Sequence, residues 1–315
     1  MWHKLSALLL VLLVSACGSD SSSTDTPPSS QLPPDSEQPG DGARIIIPVV
    51  FHILYREGFP ESNPPDSKIQ SQITVLNEMF RGRNSDITDV PEVFVPLIAD
   101  MQIEFSLASI DPNGNATTGI TRTNSMPVPG ETVAYGHVYY TNSGGKDAWP
   151  SDQYLNVWVN DMRDFFGGPL PFAGRAAFPG EEPSRDGILL ATTALGTEQP
   201  LDERLLLGRT LAHEIGHWFG LYHLGGIEGG CEDDDGISDT PLSAHSYEMV
   251  FNPEHPSSSC GSVDMFMNIM ALTHDSFLLM FSEGQKEAVW KVLAEHGERH
   301  SLLQRYQQQS ESIGY

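Results

Sequence analysis

From residue 213 to residue 223 the chain reads His-Glu-Ile-Gly-His-Trp-Phe-Gly-Leu-Tyr-His. His213 and His217 stand four apart, so on a helix they project from one face, and two imidazole nitrogens can meet one metal ion at about 2.0–2.1 Å. Glu214 is rotated by one residue. It cannot easily share the metal, but it can reach a water bound there and act as a general base. Gly220 can take a positive φ, end the helix and turn the chain so that His223 arrives as a third ligand. Three neutral imidazoles leave the fourth zinc position to water, the open arrangement of a catalytic site. With 11 histidines and 29 glycines in 315 residues, chance would place these five groups at this spacing somewhere in the chain about once in ten thousand.

These groups need a rigid support. Leu201 to Phe219 reads as one helix, with Asp202-Glu203 suited to its positive end. Leu205, Gly208, Ala212, Ile215, Gly216 and Phe219 share a face, on which Gly208, Ala212 and Gly216 allow close approach of a neighbour. Leu206, Leu207, Leu211 and Trp218 cover the rest, and a helix apolar nearly all round is buried. Burying two histidines and a glutamate without partners would cost several kcal/mol, so something must satisfy them. Around this helix the pattern is one of alternating strands and helices. Arg44 marks its start, and Ile45 to Tyr55 is a continuous apolar run typical of a strand covered on both faces. Pro48 makes it edge-biased or bulged near its start, and His52 within it reads as a satisfied core histidine. Residues 67–82 carry Ile69, Ile73, Leu76, Met79 and Phe80 at helical spacing. Met101 to Ile110, Tyr154 to Asn160 and Ile188 to Thr192 read as further strands, and Ala173 to Phe178 as an exposed edge strand. Residues 118–150 read as irregular loops. The class is α/β, with a largely parallel sheet.

The chain has 17 Lys and Arg against 42 Asp and Glu, a formal net charge of −25. That field repels a phosphate backbone, which argues against nucleic acid and for cations and basic peptides as partners. At 39% hydrophobic residues a sizeable core is available. Residues 1–16 hold Lys4, an apolar run from Ala7 to Val14 and the small residues Ser15-Ala16, which together read as a signal peptide too short to span a bilayer. Val14-Ser15-Ala16-Cys17 resembles the lipobox of bacterial lipoproteins, in which the cysteine is acylated after cleavage. Gly18 after it favours the outer membrane. Residues 17–43 then form a Ser/Pro-rich tether, too polar to fold, ahead of a folded domain at 44–315. The expected location is the bacterial cell envelope, at the outer membrane or cell surface, meeting the membrane through a lipid anchor only. In that oxidising compartment Cys231 and Cys260 remain as a pair. Their disulfide would close a loop of about 30 residues and contribute roughly 3 kcal/mol; two free buried thiols are the alternative.

The pattern His-Glu-x-x-His-x-x-Gly-x-x-His resembles that of the metzincin zinc proteases, whose second signature is a methionine-containing turn beneath the metal. Asn268-Ile269-Met270, followed by Met280-Phe281-Ser282-Glu283-Gly284-Gln285, is similar to the turn and helix start of the pappalysin family and its cytophagalysin-like bacterial members. Asp235-Gly236-Ile237-Ser238-Asp239-Thr240-Pro241, Leu155-Asn156-Val157-Trp158-Val159 and Ala177-Phe178-Pro179-Gly180 look alike too, so the likeness covers about residues 44–296. It implies a metzincin-like domain: a twisted, mostly parallel sheet with one antiparallel edge strand, a buried active-site helix, a Met-turn and a C-terminal helix. Met270 would be a hydrophobic floor for the imidazoles rather than a ligand. Asp233, Asp235 and Asp239 could ligate calcium in a loop clipped by the cysteines, a solvated acidic turn being the other reading. Ser282 with Gln285 reads as a capping box. One position departs from the family: a tyrosine commonly follows the turn methionine by two residues, and here Leu272 stands there. That bears on whether a tetrahedral oxyanion receives a second donor.

The expectation is a monomeric zinc-dependent endopeptidase acting on extracellular or envelope proteins by a Glu-assisted zinc-water mechanism, its substrate extended along the edge strand. A non-catalytic, metal-containing surface lipoprotein that binds a partner is the alternative, and Leu272 favours it.

Overall fold

The computed structural model describes residues 44–125, 137–162, 173–225, 230–244, 247 and 252–313. The signal segment 1–16, Cys17 and the tether 17–43 lie outside the described residues.

β1 (Ile45–Tyr55) forms where the apolar run predicts it and becomes an interior strand of a six-stranded sheet. From Val49 to Leu54 no residue is more than 2% exposed, as a strand covered on both faces requires. β2 (Ile103–Leu107) and β3 (Ile120–Asn124) pair with it in parallel, one after the other. β4 (Leu155–Asn160) pairs in parallel with β1, and β6 (Ile188–Ala191) continues in parallel from β4. β5 (Gly174–Ala176) closes the sheet antiparallel to β6. The sheet is therefore mostly parallel with one antiparallel edge strand.

α1 (Asp66–Phe80) packs on β2, and α2 (Thr210–Trp218) packs on β5, β6 and α1. The Phe80 ring lies 4.9 Å from those of Phe105 and Phe281, so α1, β2 and the approach to α3 (Glu283–Leu293) share one core. α4 (His300–Ile313) packs against α3 and β1. Ser282 caps α3 with the reciprocal Ser282–Gln285 capping box the sequence predicts.

Pro48 stands where β1 is edge-like near its start, as expected: β2 pairs with it on one side, and the β4 ladder on the other side begins only at Val49. Two expectations need correction. Residues 118–150 are not all irregular, because Ile120–Asn124 is β3. Its pattern is weak and its side chains are half-buried or exposed, so the strand is selected by pairing with β1 rather than by its own hydrophobicity. The second correction concerns the long helix: α2 covers only Thr210–Trp218 of the expected Leu201–Phe219. Gly208 sits at φ +68°, and a Cβ there would stand only 2.9 Å from Gly196 O. The Leu207 N–H donates to the Asp275 carboxylate. Tertiary partners thus take the backbone groups that helix propagation would have used.

Candidate active site

α2 is only nine residues long and is fixed at both ends. At its start, Arg209 is 6% exposed. Its guanidinium donates to the Leu278 carbonyl (2.8 Å) and to both oxygens of Asp86 (2.6 and 2.8 Å). The loop leading into it is gripped from α1: the buried Lys68 ammonium donates to the carbonyls of Thr192 and Pro200, and the Gln72 amide bonds Gly208 O and Gly196 N. Burial pushes the Lys68 amine down to about 8. At the other end, Arg299 donates to Trp218 O and forms a two-pronged pair with Asp186, which also accepts from the Trp218 indole. None of these buried charges is visible in the hydrophobic pattern, since each partner lies far away in sequence.

Gly220, at φ +92°, ends the helix as expected and returns the chain toward the site. The Nε2 atoms of His213 and His223 are 3.1 Å apart, and those of His217 and His223 3.0 Å apart. The ligand atoms of all three lie within 4.8 Å of one another. The opposite ring nitrogens of His213 and His217 are taken. His213 Nδ1–H donates to the Ile269 carbonyl and His217 Nδ1–H to the Leu221 carbonyl, each at 2.7 Å. A carbonyl can only accept, so the neutral His213 and His217 rings carry lone pairs at Nε2, and all three Nε2 atoms converge on one space. Burial lowers the His217 pKa and takes His213 well below its ordinary value, the neighbouring imidazoles adding to the effect on His213. Burial likewise brings His223 down to about 4. Three neutral nitrogen donors at this separation fit a tetrahedral zinc, whose ligands stand about 3.3 Å apart.

Glu214 is 7% exposed and is not among the groups that converge with the imidazoles. Its carboxyl lies against β5, where the Ala176 N–H donates to it. Burial pushes it up to about 8, opposed by that amide and by Arg175. A divalent cation beside it acts in the opposite direction. The sequence pattern did not single out Gly174 or Ala176. The available signal was a glycine inside a strand, which marks close approach by a neighbour. Phe178 continues the same segment, with its ring 5.3 Å from His217 and stacked 5.2 Å from Tyr222.

Met270 is fully buried, and its sulfur lies where a Cβ on Gly216 would be, 2.3 Å from the built position. Gly216, within α2, thus makes room for the methionine. Asn268 accepts from Met270 N and exchanges hydrogen bonds with Gln285, so the turn is locked to the start of α3. Leu272, at the position of the family tyrosine, gives its carbonyl to Tyr247 N–H.

Cys231 and Cys260 form a disulfide with Cα atoms 5.2 Å apart. The acidic loop it closes does not gather its carboxylates. Among the described residues, only the histidine triad brings three metal-ligating groups together. Asp239 accepts from Ser282 Oγ and Gly284 N–H and caps α3. Asp235 accepts from Ile237 N–H and the Thr240 hydroxyl. The expected calcium set of Asp233, Asp235 and Asp239 is not assembled here because two of its members serve the fold. His255 and His274 lie in loops; His245 is outside the described residues.

The family model described as Pregnancy-associated plasma protein-A, a peptidase family, matches residues 139–294. An extracellular metalloprotease of Arthroderma benhamiae is 24% identical over 270 residues, 82% of each chain. One from Arthroderma otae is 25% identical over 255 residues, 78% of this chain and 77% of its own. Mature mirolysin of Tannerella forsythia, solved in complex with a cleaved peptide, superposes with a TM-score of 0.75 at 34% identity, covering 85% of this chain and 98% of its own. A promirolysin mutant from the same organism gives a TM-score of 0.75 at 35% identity, covering 85% and 87%. Sheet order, trihistidine geometry, Met-turn and a one-third identity that runs the length of mirolysin agree: the chain belongs to the pappalysin family and is a metalloendopeptidase with the metzincin fold.

Proposed function

We propose that this chain is a zinc endopeptidase that cleaves proteins outside the cytoplasm while tethered to the bacterial envelope through Cys17. The convergence of three Nε2 atoms, two of them left with lone pairs by carbonyls on the far side of the ring, carries this reading. His213, His217 and His223 would hold the metal. When bound, zinc supplies a Lewis acid that makes water a stronger acid and polarises the scissile carbonyl. Glu214 takes a proton from the attacking water and returns it to the leaving amine.

An extended substrate would add to the open edge of β5. Ala173 O and Ala177 N already pair toward β6, so the backbone groups of Gly174 face away from β6, while the Ala176 N–H is already given to Glu214. The cleaved peptide bound to mirolysin supports peptide substrates. The names of the fungal relatives support a site of action outside the cell. The anchor rests on the lipobox likeness at 14–17, the signal segment 1–16 and the composition of 17–43, with 44–315 as the catalytic domain. A non-catalytic lipoprotein is disfavoured by membership of an endopeptidase family, and Leu272 alone does not restore it.

Purified chain should cleave denatured protein, lose that activity to a zinc chelator and regain it with zinc. Glu214→Ala should abolish cleavage while about one zinc per chain remains bound. Activity surviving in that variant would remove Glu214 from the role of base.

A further inference from the structure

β5 runs unusually close to Glu214. A Cβ built on Gly174 would stand 2.7 Å from both Cγ and Oε1 of Glu214, and 2.9 Å from Cδ. Nothing in the backbone demands glycine there, because Gly174 is not among the residues at positive φ. A glycine inside a strand costs conformational entropy and offers nothing to pack. The carboxyl of Glu214 is what occupies the missing side chain's volume. Two residues on, the Ala176 N–H donates to that same carboxyl. This amide is free to do so because the ladder to β6 uses the alternate groups, Ala177 N–H donating to Gly187 O and Ala191 N–H to Ala173 O. One face of Glu214 is therefore bounded by the Gly174 backbone, and its oxygen is tied by an amide of the same rigid strand. Further along the segment, Phe178 lies against the His217 ring and Pro179 against Gly220.

We propose that Gly174 is a positioning residue for the general base: the absent side chain at Gly174, together with the Ala176 amide, sets where the Glu214 carboxyl stands relative to the three imidazoles. The proposal rests on Glu214 being the base. A methyl group at position 174 must displace the carboxyl by about 1 Å, and misplacement on that scale costs on the order of 100-fold in rate. An alanine is otherwise at ease in a strand of ordinary φ, so folding and metal uptake are spared.

The test uses the full-length chain. Gly174→Ala should lower kcat for a quenched peptide by about 30- to 100-fold with KM changed less than about twofold. Zinc content and thermal midpoint should stay at the parent values. A second measurement is independent of catalysis and of whether that variant folds: in ¹⁵N-labelled protein, the Ala176 amide resonance should move in Glu214→Gln, because a carboxamide is a weaker acceptor than a carboxylate. An unmoved Ala176 resonance overturns the proposal. So does a Gly174→Ala enzyme with parental kcat, or one whose loss of activity merely follows loss of zinc or of folded protein. Activity persisting in Glu214→Ala would instead defeat the assignment of the base, a different failure from any of these.

Discussion

Two kinds of buried histidine occur in this molecule, and their second nitrogens tell them apart. In His213 and His217, Nδ1 is satisfied by a carbonyl and Nε2 is left facing the other imidazoles. In His52 both nitrogens are consumed by the fold, Nδ1 by Thr121 Oγ1 at 2.8 Å and Nε2 by Asn156 Oδ1 at 3.1 Å. The first arrangement waits for a cation, and the second does not. Removing one donor of the triad should therefore act on the metal: His223→Ala is expected to weaken zinc binding more than about 100-fold, beyond what loss of a supporting contact costs. Metal analysis after dialysis checks this. His52 should instead act on stability. Burial brings its pKa down to about 4, with the Asn156 bond opposing and Lys146 adding. An unfolded chain takes up that proton near pH 6.5. Between these values the unfolded state binds more protons than the native one, so stability falls as pH drops through the window, by roughly 3 kcal/mol from this group. Denaturant titrations from pH 7 to pH 4 should show the slope, and His52→Gln should flatten it.

At the scale of elements, α2 could not stand alone. Nine residues are too few for an isolated helix in water. Its position comes from charges that reach it from other elements: Arg209 to Asp86 at the start, Arg299 to Asp186 at the end. The second pair is the more deeply buried, with side chains 4% and 13% exposed, and the Arg299 guanidinium also lies 3.8 Å from the Trp218 ring centroid. Breaking such a pair strands a buried cation, at a cost of about 3–5 kcal/mol. Asp186→Asn should therefore lower the thermal midpoint clearly in calorimetry, although it touches neither the imidazoles nor Glu214. Reading the apolar periodicity back to Leu201 overextended this helix, because periodicity reports which face is greasy and not where the chain must break. The break at Gly208 is set by the Gly196 backbone and Asp275.

Across the whole molecule, the segment between the zinc motif and the Met-turn is pinned by covalent and polar ties. The Cys231–Cys260 disulfide closes it, and Asp239 fastens it to the N-terminus of α3. Asn268 and Gln285 then join that same helix end to the turn under His213. Replacing both cysteines with serine should cost roughly 3 kcal/mol, a drop in midpoint of about 6–12 °C for a chain of this size, with zinc content unchanged. Thermal unfolding with and without reductant provides the comparison.

The sequence by itself determined the donor set. A metal ion requires particular atoms at one helical pitch followed by a glycine break, and that demand is local enough to be written in eleven consecutive residues. It determined β1 for a similar reason, since a strand buried on both faces has no choice but to be continuously apolar. The tertiary structure decided the rest. Which strand would lie against Glu214, that weakly patterned residues 120–124 would pair with β1, that Lys68 and Arg209 would be buried, and that Asp239 would cap a helix all depend on partners tens to more than a hundred residues away. A polar group's worth is settled by what it meets once buried, and only the folded chain specifies that meeting.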